Sequence, residues 1–237
     1  MHKLLIMAVL LAASTSWSST ITAHSWLVTD DKGKIIQGEN TKEVRPIASI
    51  TKLMTVMVVL DAKQNLSERL GKFTRKELIQ MALVRSNNEA ASKLCEHYPG
   101  GTSSCVRAMN SRVYFMGLSQ TKYVDPTGLN VMNVSTAEEL VDIVQEASKY
   151  PLIVQSSKLS EVKIKIRKKW LVFRNTNPII GKRYDFVVSK TGYIKASGGC
   201  IVMMLDTDVG TRTVVVLGSK NTHTRIPEAE FVFNTYN

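Results

Sequence analysis

A serine stands three residues before a lysine at the head of an apolar run, Ser49-Ile50-Thr51-Lys52. A serine hydroxyl is a poor nucleophile at neutral pH and needs a base within hydrogen-bond reach. Residues three apart share one face of a helix, so this spacing puts an amine beside the hydroxyl. The amine is a base only when neutral, which burial or a neighbouring cation favours. A helix N-terminus also favours negative charge developing near Ser49. Further on, Ser86-Asn87-Asn88 offers a second hydroxyl, able to relay a proton between Lys52 and a leaving amine. Asn88 offers an amide to hold Lys52 and to donate to a substrate carbonyl. Lys190-Thr191-Gly192 offers a cation and a hydroxyl for a carboxylate. Gly192 leaves room for a substrate backbone to lie alongside as an added strand edge, and Lys190 is a candidate cation for lowering the basicity of Lys52. Alone, each motif has an ordinary meaning: an exposed Ser/Lys pair, a helix-capping Ser/Asn turn, a strand-end turn. In this order and spacing they name a reaction, acyl transfer through a serine ester on a substrate with a carboxylate near the scissile bond.

Patterned segments must position these groups. Ser25 to Thr29 reads as a strand, Asp30-Asp31-Lys32-Gly33 as a turn, and Lys34 to Ile36 as the return strand. From Ser49, the apolar residues Ile50, Leu53, Met54, Met57 and Leu60 recur at helical spacing, with Val56, Val58 and Val59 on the other faces. A helix apolar nearly all round is a buried one. Helices over Arg75–Val84 and Asn88–His97 flank the second motif, and another runs from Ser103 to Met116. Ser135-Thr136-Ala137-Glu138 has the form of a capping box opening a helix over Thr136–Lys149. Val162 to Arg167 alternates with period two, as a half-buried strand does. Phe186 to Ser189 leads into Lys190, Cys200–Leu205 and Thr213–Leu217 read as strands, and Pro227–Phe233 as a closing helix. Strands at both ends with helices between predict one sheet, an inserted helical lobe over about residues 65–155, and a cleft between them.

The 237 residues are 44% hydrophobic and 22% charged, which predicts a packed core rather than disorder. A formal charge of +11 suits anionic surroundings, either nucleic acid or a carboxylate-rich wall. Lys163, Lys165, Arg167, Lys168 and Lys169 form a basic run ending at Trp170, which reads as a solvated strand face or as a contact for anionic wall polymer. Residues 1–20 have the pattern of a secretory signal: His2 and Lys3, an apolar stretch from Leu4 to Ala13, then small residues. The other reading of this stretch is a buried N-terminal helix; it is too short to span a bilayer. Export to the periplasm argues against a nucleic-acid partner. It also exposes Cys95 and Cys105 to oxidising conditions, where they would either close a small loop or stay as two buried thiols; Cys200 reads as a buried filler. The four histidines are scattered and never spaced as a zinc site, so no metal is expected.

The chain resembles the low-molecular-mass penicillin-binding proteins, the serine D-alanyl-D-alanine peptidases. Segments beyond the three motifs are similar to the penicillin-binding protein 7 type, a D-alanyl-D-alanine endopeptidase: Ala48 to Thr55, Tyr98-Pro99-Gly100-Gly101, Asp125 to Asn130, Asn133 to Ala137, Phe173 to Asn177, and Lys190 to Tyr193. The resemblance spans nearly the whole chain after residue 20. It implies an α/β (α+β) fold of the β-lactamase/transpeptidase type, an antiparallel sheet flanked by helices, in a single domain over residues 21–237. Ser49 would be the acylated nucleophile, Lys52 its base, Ser86 and Asn88 the proton-transfer and positioning groups, and Lys190 and Thr191 the carboxylate holders. The backbone N–H groups of Ser49 and Tyr193 would form the oxyanion hole. Substrates would be peptidoglycan stem peptides and β-lactams would be covalent inhibitors, with no cofactor. The segment after Gly192 suffices for two strands and a helix, so neither the β-rich second domain nor the membrane anchor of many carboxypeptidases in the family is expected. The three motifs do not separate a D,D-endopeptidase from a D,D-carboxypeptidase or a non-turnover sensor; only the overall resemblance favours the endopeptidase. A class A β-lactamase would need Glu where Pro126 stands, so slow deacylation of β-lactams is expected.

Overall fold

The computed structural model of the protein describes residues 21–236. The expected signal segment, residues 1–20, lies outside the described residues. Strands β1 (Ser25–Thr29) and β2 (Ile35–Glu39) form the amino-terminal hairpin. Its turn is held by Asp30, whose carboxylate accepts from the N–H groups of Lys32 and Lys34 at 3.0 and 2.8 Å. The short β3 (Arg45–Pro46) leads into one 3-10 turn, Ala48–Thr51, that continues as α1 (Lys52–Asp61). A two-residue ladder of β4 (Arg69–Leu70) and β5 (Phe73–Thr74) precedes α2 (Arg75–Val84). There the Thr74 hydroxyl accepts from Glu77 N–H at 3.2 Å and the Glu77 carboxylate accepts from Thr74 N–H at 2.7 Å. This reciprocal cap was not expected from sequence. Helices α3 (Asn88–Glu96) and α4 (Gly101–Phe115) are stapled by a Cys95–Cys105 disulfide, their Cα atoms 5.4 Å apart.

Strand β6 (Val134–Ser135) pairs with β3 and is followed by α5 (Ala137–Ala147). The expected capping box is displaced by one residue. Thr136, not Ser135, accepts from the N3 backbone, Glu139, at 3.1 Å. The reason is that Ser135 is already held in the ladder opposite Arg45, and its hydroxyl shares a 2.7 Å hydrogen bond with Thr121. A short α6 (Pro151–Ser157), which the sequence pattern did not reveal, leads to the hairpin of β7 (Glu161–Ile166) and β8 (Lys169–Arg174). The chain ends with β9 (Asp185–Ile194), β10 (Gly198–Asp206), β11 (Arg212–Ser219) and α7 (Arg225–Tyr236).

One five-stranded antiparallel sheet organises the molecule, in the order β2-β1-β11-β10-β9. Both its faces are covered, so its inner strands read as continuous apolar runs rather than alternating ones. Leu27, Val202, Val215 and Leu217 point into a large core shared with α1 and α5. Trp26, Val28, Ile201, Met203, Val214 and Val216 point the other way, beneath Ala229, Val232 and Phe233 of α7. Leu53, Met54, Val56 and Met57 of α1 have no solvent exposure; truncating such a residue to Ala costs about 2–5 kcal/mol. Helices α2, α3 and α4 pack around α1, whereas α5 lies against β1, β10 and β11. Among the described residues, no helix is long and apolar enough to cross a membrane.

Candidate active site

Ser49 and Lys52 meet as their spacing requires. The Lys52 amine lies 2.7 Å from Ser49 Oγ, donates to Asn88 Oδ1 at 2.7 Å, and donates to the Thr127 carbonyl at 2.6 Å. Lys52 is fully buried. Burial pulls its pKa down to about 7, against the opposing charge of Asp125. A large neutral fraction at neutral pH is what a general base needs. Ser49 sits on the 3-10 turn, one step before the α-helix proper. The residue ahead of it, Ala48, has a φ of +46°, a left-handed conformation uncommon for a residue with a side chain.

Two glycines clamp that turn. A Cβ at Gly128 would fall 1.9 Å from Ala48 O, and one at Gly192 would fall 2.9 Å from both Ile47 O and Ser49 N. The space freed by Gly192 is therefore occupied by the nucleophile's own backbone. Gly128 belongs to the Asp125–Asn130 loop. There the Asp125 carboxylate accepts from Thr127 N–H and Oγ–H, both at 2.6 Å, Gly128 N–H at 2.8 Å, and Asn130 N–H at 2.9 Å. Burial raises the Asp125 pKa, but these hydrogen bonds outweigh it and hold the carboxyl below its ordinary value. The loop thereby fixes the Thr127 carbonyl against Lys52.

The second motif is the connection between α2 and α3. Ser86 has a φ of +59°, backbone strain on the order of 1–2 kcal/mol. Asn87 caps α3 by accepting from Ala90 N–H at 2.7 Å. Asn88, the first residue of α3, faces Lys52, while Ser86 Oγ accepts from Lys190 Nζ at 2.8 Å. The turn is thus both a helix cap and a contributor to the cleft.

Lys190, Thr191 and Gly192 lie in the middle of β9, opposite Val202, Ile201 and Cys200. The motif is not the strand-end turn that is its ordinary meaning, because the strand runs on to Ile194. Lys190 is buried, and burial together with the charges of Lys52 and Arg225 drives its pKa well down. Of the two routes to a neutral Lys52, burial or the charge of Lys190, burial is the one that lowers it. Thr191 Oγ1 shares a 2.6 Å hydrogen bond with Thr176 Oγ1, and Tyr193 is half exposed opposite Gly199. Arg225, buried at the start of α7, donates to Gly192 O at 2.7 Å.

All eight expected residues lie on the 3-10 turn and α1, the α2–α3 connection, and β9. Sequence reasoning missed Thr127, Thr176 and Arg225. Thr127 and Thr176 stood inside segments noted only for their resemblance, and Arg225 carried no local signal. The assembly sets one buried amine against the Ser49 hydroxyl and a second against the Ser86 hydroxyl.

A family model described as D-alanyl-D-alanine carboxypeptidase matches residues 12–71 and 66–221. The chain belongs to this family of serine D-Ala-D-Ala peptidases, which are hydrolases. It is 37% identical over 233 residues to a D-alanyl-D-alanine endopeptidase of Pseudomonas aeruginosa, covering 88% of this chain and 75% of that protein. To the D-alanyl-D-alanine endopeptidase of Escherichia coli K12 it is 35% identical over 242 residues, covering 92% and 78%. In fold it is similar to the Streptomyces K15 DD-transpeptidase, with a TM-score of 0.82 at 22% identity over 91% of this chain and 97% of that one. It is likewise similar to penicillin-binding protein D2 of Listeria monocytogenes in a cefotaxime-bound form, with a TM-score of 0.81 at 23% identity over 90% and 96%.

Proposed function

We propose that the protein is a D,D-endopeptidase that opens peptidoglycan cross-links after D-Ala through an acyl-enzyme. Ser49 Oγ attacks the D-Ala carbonyl and passes its proton to neutral Lys52. The N–H groups of Ser49 and Tyr193 hold the oxyanion. The C–N bond then breaks, and the proton travels from Lys52 to the leaving amine by way of Ser86. Lys190 and Thr191 hold the carboxylate of the leaving residue, and water then hydrolyses the Ser49 ester. The observation that carries this reading is the 2.7 Å contact between Ser49 Oγ and a buried Lys52 of pKa about 7. The endopeptidase names of the Pseudomonas and Escherichia relatives support cross-links as substrate. The cefotaxime- and ampicillin-bound forms of the Listeria protein support β-lactams as covalent inhibitors. The signal-like residues 1–20 support a periplasmic location.

The test is digestion of cross-linked and uncross-linked muropeptides, read by mass. Loss of dimers is expected. Loss of terminal D-Ala alone would favour the carboxypeptidase reading that the family description carries. Ser49→Ala should abolish both turnover and the penicillin adduct in intact-mass spectra, with activity down by roughly 10⁶-fold. An adduct that persists in this variant would overturn the assignment.

A further inference from the structure

The hairpin of β7 and β8 has two different faces. In its register Glu161, Lys163 and Lys165 pair with Arg174, Val172 and Trp170, and paired residues share a face. The inner face carries Val162 and Ile164, both buried, and Phe173, which packs edge-on against Phe73 with centroids 6.5 Å apart. The outer face carries Trp170, 61% exposed, and Val172, 50% exposed, alongside the exposed Lys163, Lys165 and Arg174. Arg167 and Lys168 add two more cations at the turn. Lys165 Nζ stands 5.8 Å from the Trp170 ring centroid. Among the described residues, the ion pairs on this hairpin are limited to Lys163 with Glu161 at 3.0 Å.

Single exposed apolar residues need no explanation. An indole and a valine on one strand, with Lys165 and Arg174 on the same face outside any ion pair among the described residues, form a patterned surface. An aromatic face takes the C–H face of a sugar ring, and flanking lysines take carboxylates. The hairpin also leads into the cleft. Asn175 N–H donates to Ser160 O at 2.7 Å, closing its base, and the next residue, Thr176, is the partner of Thr191.

We propose that this outer face docks a glycan strand of the anionic wall polymer, with sugar rings on Trp170 and the carboxylates of its peptides on Lys163, Lys165 and Arg174. The identity of the polymer rests on the function proposed above. Docking would raise the local concentration of cross-links at Ser49 without touching the scissile bond. Cations interleaved with the apolar residues favour a glycan over a lipid surface, which would take a segregated apolar wedge.

The test is co-sedimentation of the processed protein with purified sacculi. Trp170→Ala should lower the bound fraction by roughly tenfold. A Lys163→Gln, Lys165→Gln, Arg174→Gln triple variant should do the same at low salt and flatten the salt dependence. Both should keep wild-type penicillin acylation and wild-type cleavage of a soluble cross-linked peptide without sugars. Amidase-stripped glycan strands should compete with sacculi for the wild type. Undiminished sedimentation of either variant would overturn the proposal. So would a parallel fall in soluble-peptide cleavage, or competition by anionic phospholipid vesicles but not by glycan. A protein that neither cleaves peptide nor takes up penicillin, yet sediments through Trp170, would sink the proposed reaction and leave the docking face standing.

Discussion

Lys190 and Ser86 stand 104 residues apart in the chain, and their side chains meet at 2.8 Å. Through this contact and the one between Lys52 and Asn88, a single α2–α3 connection holds both amines of the cleft. Neither lysine has a carboxylate as hydrogen-bond partner. Burial outweighing the more distant charge of Asp125 is what makes Lys52 a base.

The first prediction concerns pH. The active form of Lys52 is neutral and its pKa is about 7. The second-order rate of acylation by penicillin should therefore rise as pH increases through about 7, then level off. Asp125 raises the Lys52 pKa by charge, so Asp125→Asn should move the midpoint to lower pH. A profile that stays flat across neutrality, or a midpoint that moves upward, would contradict this assignment.

A contrast between two glycines tests the clamp on the nucleophile turn. Gly128 and Gly181 both have a left-handed backbone, with φ of +80° and +75°. A Cβ at Gly181 meets nothing within 4 Å, whereas one at Gly128 strikes Ala48 O. Gly181→Ala should cost about 1–2 kcal/mol of backbone strain and leave acylation intact. Gly128→Ala should cost more in thermal melts and also slow penicillin labelling. Equal effects on labelling would remove the steric argument.

The Cys95–Cys105 bridge closes a loop of sequence separation 10 between α3 and α4. Replacing both cysteines with Ala should lower stability by about 2–3 kcal/mol in denaturant unfolding. Penicillin labelling at a temperature where the variant is folded should be unaffected, since the hydrogen bonds that hold Lys52 and Lys190 do not involve either cysteine. A variant that is fully folded but unreactive would show that the bridge orients Asn88.

Deacylation gives a fourth test. The Asp125 carboxylate is engaged by four donors of its own loop, and Pro126 O accepts from Thr55 Oγ1 at 2.8 Å. This loop offers no free carboxylate to drive water onto a penicilloyl ester. Nitrocefin should give a stoichiometric burst followed by slow turnover. Rapid sustained hydrolysis would require a base elsewhere in the cleft.

The Ser49–Lys52 pair was legible because its geometry is local: three residues along a helical turn fix the distance. Asn88 and Ser86 were legible for a similar reason, as a turn between two periodic segments. Thr127 acts through a backbone carbonyl, which has no residue signature. Thr176 and Arg225 reach the site only through tertiary packing of the β8–β9 connection and α7. Strand β8 was hidden because Lys169 to Phe173 does not alternate, with both its outer face and part of its inner face open to water. Lys190-Thr191-Gly192 has the look of a strand-end turn when read alone, yet glycine is required within the strand by the backbone of Ser49. The sheet itself was readable from its apolar runs, but not its strand order, which depends on pairings between the two ends of the chain.

That order has a bearing on biogenesis. Strand β11 lies between β1 and β10, so an emerging polypeptide keeps its hairpin of β1 and β2 waiting for a neighbour until Arg212–Ser219 has been synthesised. Such distant pairing makes assembly slow. It also means that a stop codon ahead of Arg212 would split the scaffold down its middle rather than trim its edge.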